Sequence, residues 1–430
     1  MGILKMAWRN LWRRSRRTIV TVGAMTLALI ALVLYSGLVE GYLSNMEGNI
    51  LDLEFGDVQV HAGDYLNRPS IYTRIEQPEA LLASLDVQGY RATARLLGGG
   101  LVAAGESSAG ASLRGIDVET DARVSKISEH VSRGEWLDPV FPEGVVLGRR
   151  LALTLDVQLG DELVLLSQAT DGSMANDLYE VRGVLLGVGD ITDRAGIFMT
   201  AGAFREFFAL YDGAHQIILR REGEQELDEL SAAVLAADQE LRAAAATERA
   251  AADPATAPAT SAPASELDVQ TWRELMPTMA TMIDSTRAIV TIVFFVIYVV
   301  IAILVLNAML MAVFERIREF GVMKAIGVAP GTVVKIILLE SALQTVFAVV
   351  LGLALAAPGL WYLSNYGIDT GALGGISLMG VAFNQIWYAI VTPHTIWGPV
   401  IALVVMVSIA VLYPAIKAAR ISPVEAMRHQ

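Results

Sequence analysis

One stretch constrains this chain more than any other. From Ile289 to Val313 the sequence carries no charged residue. That run exceeds the roughly 20 residues a helix needs to cross a ~30 Å hydrocarbon core. It stops at Phe314-Glu315-Arg316-Ile317-Arg318-Glu319, which is too charged for lipid. Phe320 to Gly327 and a turn at Ala329-Pro330-Gly331 follow, and a second apolar run opens at Val333. A connection this short cannot be a domain. It can be a handle: a short helix held by two membrane helices.

Two more apolar runs complete the set, Thr18–Leu38 and Trp397–Ala415. The first is longer than the apolar region of a signal peptide and lacks a small-x-small cleavage site, so it reads as an uncleaved anchor. Six basic residues precede it (Lys5, Arg9, Arg13, Arg14, Arg16, Arg17), and Lys417, Arg420 and Arg428 follow the last run. Positive charge retained on one side places both termini and the 314–332 loop in the cytoplasm. The Gly-rich stretch 363–395 has no Lys or Arg and belongs outside. The sequence therefore divides into a basic amphipathic start (1–17, with Leu4, Trp8, Leu11 and Trp12 on one face), four spans (18–43, 285–313, 333–362, 396–416), an extracytoplasmic domain at 44–284 and a tail at 417–430.

The large insert has ordinary globular composition. Asp57–Val60, Tyr90–Arg95, Gly144–Gly148, Glu162–Leu166, Leu178–Val184, His215–Arg220 and Leu267–Trp272 read as strands. Pro78–Leu85 and Glu222–Ala246 read as helices. A β-α-β pattern before and after a β-rich insert predicts an α+β domain in two parts. Ala243–Ser265, rich in Ala, Thr and Pro, reads as a flexible loop whose start extends the preceding helix.

Composition narrows the function. A hydrophobic content of 54% with mean hydropathy +0.49 favours a membrane protein. The net charge of −13 argues against nucleic acid. The chain has no cysteine, and its five histidines lack ligand spacing, so no metal site is expected. No Gly-x-x-x-x-Gly-Lys-Ser/Thr, Gly-x-Ser-x-Gly or His-Glu-x-x-His occurs, which points to a non-catalytic chain.

The stretch ERIREFGVMKAIGVAPGTVVKIILLESALQTVFAVVLGL resembles the signature of FtsX-like ABC transporter permeases of the MacB and LolC/LolE type, with a Glu-Arg-x-Arg-Glu run and a basic-Ala-hydrophobic-Gly step. The C-terminal YPAIKAARISPVEAMR is similar to the family's second signature, and Val145–Leu166 to a segment of its extracytoplasmic domains. The resemblance implies a membrane α-helical permease with four spans. Between the first two it implies an α+β periplasmic domain, made of a porter-like subdomain and a β-rich insert. It implies residence in the bacterial inner membrane, two copies of a separate ATPase binding ATP and Mg, and a second permease chain, identical or not. This chain itself would hold no cofactor. A lipid, lipoprotein or periplasmic carrier is the implied partner outside. An alternative in the same family is signalling, in which the chain transmits ATPase state to a partner such as a cell-wall hydrolase. The loop Gln168–Asp177 is short and polar where lipoprotein-releasing members have a longer, proline-bearing hook.

The resemblance makes the 314–328 loop a coupling helix. Glu315, Arg316, Arg318 and Glu319 would supply ion pairs to the ATPase. Phe320, Met323 and Ile326 would supply apolar contact. Gly321 and Gly327 would flank the step and allow close approach, with Lys324 as its basic residue. Two polar residues lie within spans. Glu340 is expected near the inner boundary, paired with a loop cation such as Arg318 or Lys324. Asn307 is expected to be a buried amide bonding across a helix interface.

Overall fold

The computed structural model describes residues 15–221, 225–251, 266–369, 377–378, 381–382 and 386–420. These fall into two units, one built on Asn45–Thr281 and the other on the segments up to Ser44, Met282–Gly371 and Ile386 onward. The expected amphipathic start, the Pro-rich end of the 243–265 loop and the last residues of the C-terminal signature lie outside the described residues.

Helix α1 (Ser15–Ile50) runs into a π turn at Leu51–Phe55. Gly56 ends it with φ +63°, and a side chain there would meet Ile218 at 2.3 Å. Only glycine satisfies both demands. The chain then enters β1 (Val58–Ala62), α2 (Pro78–Val87) and β2 (Arg91–Ala104), and later β9 (Gln216–Arg220), α5 (Leu227–Ala251) and β10 (Leu267–Thr271). The four strands line up as β10-β1-β9-β2, each antiparallel to its neighbour. This is a pair of interleaved split β-α-β units. Pro78 sits at the start of α2, where its missing N–H costs nothing. Leu81 and Leu85 of α2 and Leu230, Val234 and Ala237 of α5 repeat at helical spacing. They close a core over Val58, Val60, Ile217 and Leu219.

The intervening chain supplies β3 (Ser107–Ile116), β4 (Val131–Gly134), β5 (Gly144–Gly148), α3 (Arg149–Leu155), β6 (Glu162–Gln168), β7 (Met174–Leu185), β8 (Gly196–Thr200) and α4 (Ala201–Phe208). It has its own core, centred on Leu113, Val145, Leu147, Leu163, Phe204 and Phe208. The two cores nevertheless share one sheet, because β2 belongs to both. Arg91–Arg95 pair with β9, and Leu101–Ala103 pair with β6. The expected short strand at Tyr90–Arg95 is thus the first third of a longer one. Its continuation through Gly98-Gly99-Gly100 hid the strand, since glycine weakens strand patterns. The glycines are needed: a Cβ at Gly98 would lie 2.7 Å from the Phe208 ring, and one at Gly100 2.7 Å from the Leu166 carbonyl oxygen.

The second unit adds α6 (Pro277–Glu315), α7 (Ile317–Ala325), α8 (Pro330–Asn365) and α9 (Pro393–Arg420). Among the described residues four helices are long and apolar enough to cross a membrane: α1, α6, α8 and α9. Their shared core includes Met25, Leu29, Val305, Val313, Leu403 and Val407. Helices α1 and α8 approach closely through glycine, with Gly352 against Leu29 and Gly359 against Leu34. In lipid such small-residue seams replace the hydrophobic drive that packs soluble helices.

Candidate functional site

The connection between α6 and α8 is built from both of its ends. Helix α6 stops at Glu315, and Arg316 leaves helical geometry at φ −110°, ψ 9°. The chain turns into α7, whose far end closes through a paired backbone cap. Val328 N–H donates to the Met323 carbonyl at 3.0 Å and Gly327 N–H to the Lys324 carbonyl at 3.1 Å, with Gly327 at φ +95°. This is the Schellman arrangement, which selects glycine at that position. Pro330 then opens α8 at a position that needs no N–H.

Two basic side chains pin α7. The Arg316 guanidinium donates to Glu340 on α8 at 2.9 Å and to Glu319 at 3.0 Å, and lies over the Phe320 ring at 5.0 Å. Lys324 Nζ donates to the Ala419 carbonyl near the end of α9 at 2.6 Å. That end of α9 is where a cation is favoured by the helix dipole and by unsatisfied carbonyls. Ile317, Phe320 and Gly321 are buried. Lys417 of α9 also caps the Phe314 ring at 5.0 Å.

These contacts revise the reading of individual residues. The cation on Glu340 is Arg316, not Arg318 or Lys324. Arg316 sits at the break between helices, where its reach spans the gap to α8. Lys324 is engaged with α9 instead. Phe320, expected to face a partner, is 2% exposed and packs in the helical core. Met323 is half-buried against the same core. The reason is rotational: positions 317, 320, 321 and 324 share the face that α6, α8 and α9 cover, so the opposite face points out. That face presents Arg318, Val322 and Ile326 at four-residue spacing, with Ile326 76% exposed. Glu315, Glu319 and Gly327 are exposed beside them. Asn307 is exposed as well, rather than buried within this chain.

The large domain also holds buried polar groups that no sequence pattern marked. Arg95 and Asp121 are buried and joined by two hydrogen bonds, 2.7 and 3.1 Å. Asp57, fully buried, accepts from Arg220 at 3.2 Å and from the Arg221 backbone at 3.0 Å. Glu54 takes Arg114 at 2.5 Å and also Thr192. His215 accepts from Leu97 N–H through Nδ1 at 3.0 Å and donates from Nε2 to the Ile71 carbonyl at 3.1 Å. Burial pushes the imidazole down to about 4. Among the described residues no cluster of His, Cys, Asp or Glu could hold a metal ion.

Comparison with known proteins agrees with this layout. The family description "FtsX-like permease C-terminal" matches residues 291–423, and "MacB-like periplasmic core domain" matches residues 18–251, more than half of the chain. This chain belongs to the FtsX-like ABC transporter permeases with a MacB-like periplasmic core domain. The permease is 21% identical to the lipoprotein-releasing system transmembrane protein LolC of Neisseria meningitidis serogroup B, over 96% of this chain and 94% of that one. It is 29% identical over 126 residues to the uncharacterized ABC transporter permease YknZ of Bacillus subtilis, 29% of this chain and 27% of that one. Among solved structures, the periplasmic region of MacB from Actinobacillus actinomycetemcomitans aligns with TM-score 0.36 at 12% identity, over 56% of this chain and 95% of that one. The extracellular domain of YknZ aligns with TM-score 0.30 at 13% identity, over 41% and 87%. The periplasmic core domain match and the four apolar helices among the described residues make the permease a membrane protein with an extracytoplasmic domain.

Proposed function

We propose that this permease converts ATP hydrolysis on a separate ATPase into movement of its extracytoplasmic domain, and that the movement extracts or exports a lipid- or lipoprotein-like substrate. The observation that carries this reading is the pinned helix α7 with its outward face of Arg318, Val322 and Ile326. A helix fixed to α8 through Arg316–Glu340 and to α9 through Lys324–Ala419 passes a push on its outer face to the spans instead of yielding to it. Two ATPase copies, holding the ATP and Mg, would dock on two permease chains from the cytoplasm. The basic ends of the sequence support that orientation. The exposed Asn307 supports a paired permease chain, since an amide facing lipid is costly and one facing a second helix can be bonded. The near full-length likeness to a lipoprotein-releasing protein supports the substrate class.

The test is Ile326→Asp, compared with the wild type in co-purification of the ATPase and in ATP turnover. Burying an unpaired carboxylate in the contact costs several kcal/mol, a loss of affinity of about 100-fold or more. The ATPase should dissociate while the permease stays folded. Retention of the partner with full turnover would show that α7 is not the docking element.

A further inference from the structure

A cavity of about 650 Å³ opens within the helical unit between α1, α6 and α9. Its lining has two characters. Glu40, Arg287 and His394 supply polar groups to it, and Phe294, Phe295 and Tyr298 supply an aromatic wall. The three polar residues come from three different helices, each at the end of its apolar run. Glu40 follows Thr18–Leu38, Arg287 precedes Ile289–Val313, and His394 precedes Trp397–Ala415. They therefore share one depth, at the membrane boundary, and the aromatic wall lies deeper.

The mouth is built, not incidental. The backbone leading into α9 is pressed onto α1 through two glycines. Ile390 N–H donates to the Gly37 carbonyl at 3.0 Å, and a Cβ at Gly41 would fall 1.9 Å from the Tyr388 carbonyl oxygen. Thr392 and Thr395 then cap each other, each backbone N–H donating to the other's hydroxyl at 3.0 and 3.2 Å. This seam fixes where α9 begins and so sets His394 beside α1. On α6 the lining rings of Phe294 and Tyr298 lie 6.3 Å apart, and Phe294 meets Tyr35 of α1 at 5.7 Å. Phe295 is 61% exposed, so the wall continues outward along α6.

We infer that this cavity binds one bilayer phospholipid whose headgroup is zwitterionic and carries a primary amine. The chemistry follows from the mouth. A guanidinium matches a phosphodiester with paired donors. The Glu40 carboxylate complements an ammonium and repels a headgroup of net negative charge. Glu40 and Arg287 give the mouth a carboxylate and a guanidinium, as the headgroup gives an ammonium and a phosphate. A quaternary ammonium has no N–H to give Glu40, so choline lipids lose that bond. Acyl chains find the aromatic wall and leave along α6. The site is independent of ATPase docking, which uses the opposite end of α6.

The experiment is native mass spectrometry of the full chain in detergent after delipidation. It is titrated with palmitoyl-oleoyl phosphatidylethanolamine, phosphatidylcholine and phosphatidylglycerol. One ethanolamine lipid should be retained per chain, about 10-fold more tightly than either of the others. Arg287→Gln should lose all three lipids, whereas Arg287→Lys keeps the ethanolamine lipid. Glu40→Gln should retain phosphate binding and lose the preference for ethanolamine over choline. Far-UV circular dichroism verifies that each variant keeps its helices. Equal retention of the three lipids, an unchanged preference in Glu40→Gln, or an acylated protein as the retained mass would overturn the assignment.

Discussion

Arg95 and Arg316 each bind an acid distant in sequence, Asp121 and Glu340, yet they sit in different surroundings. Arg95 lies inside the large domain's sheet, with side-chain exposure of 2% and its partner Asp121 at 4%. Arg316 sits at a helix break in the membrane unit, with 12% exposure and Glu340 at 14%. The first pair is buried in the packed domain, so breaking it strands a charge in the core of a cooperative fold. The second has water within reach and holds one short helix in place. The large domain thus stakes global stability on its buried polar groups. The helical unit keeps its polar contacts at helix ends, where they decide local shape.

The largest effect should come from Arg95→Met. It leaves Asp121 buried without its partner and should cost about 3–5 kcal/mol. Denaturant unfolding of the full chain, followed by near-UV signal, measures this. The double variant Arg95→Met, Asp121→Leu should recover much of the loss. A single variant as stable as wild type would erase the contrast between the two units.

His215 sharpens the same contrast through pH. Its folded pKa of about 4 lies below the ordinary histidine value. The unfolded imidazole therefore takes a proton below about pH 6.5 that the folded one refuses. Stability is complete above that pH and falls by roughly 3 kcal/mol as pH drops toward 4. Protonation would place a hydrogen on Nδ1, facing the Leu97 N–H that already points there. In His215→Gln the unfolding midpoint should be flatter over this window than in wild type. Parallel slopes would show that other groups set the acid sensitivity.

The smallest effect should come from Arg316→Met. Loss of its charged hydrogen bonds is expected to cost about 2 kcal/mol, felt locally. Hydrogen exchange of Ile317–Ala325 amides should speed up about 30-fold while sheet amides stay unchanged. Exchange that rises across the whole chain would mean that α7 is part of the global fold and not a separately held piece.

Much of the membrane unit was legible in the sequence. An uncharged run of lipid-spanning length has few structural solutions, because backbone polar groups in hydrocarbon must bond within their own helix. The Glu315–Glu319 run and Gly327 marked where the chain turns, and Glu340 in an apolar span announced that a cation lies near. Which cation could not be read. Arg316, Arg318 and Lys324 are all close in sequence, and the helix break at Arg316 decides which one faces α8. The outward face of α7 was likewise a matter of rotation. Phe320 and Ile326 are equally apolar on paper, and only packing against α6, α8 and α9 turned the first in and left the second out.

In the large domain the sequence by itself determined the local elements: the buried strands at Val58–Ala62 and Gly144–Gly148, and the apolar stripes of α2 and α5. Tertiary structure decided that two cores share one sheet through β2, across a glycine triplet that no strand pattern would favour. It also decided that Arg95 meets Asp121 and His215 meets Leu97. Periodicity reports which side of an element is apolar, because that follows from the geometry of a single helix or strand. Partners far apart in sequence leave no such trace, since their contact depends on the closure of the whole chain.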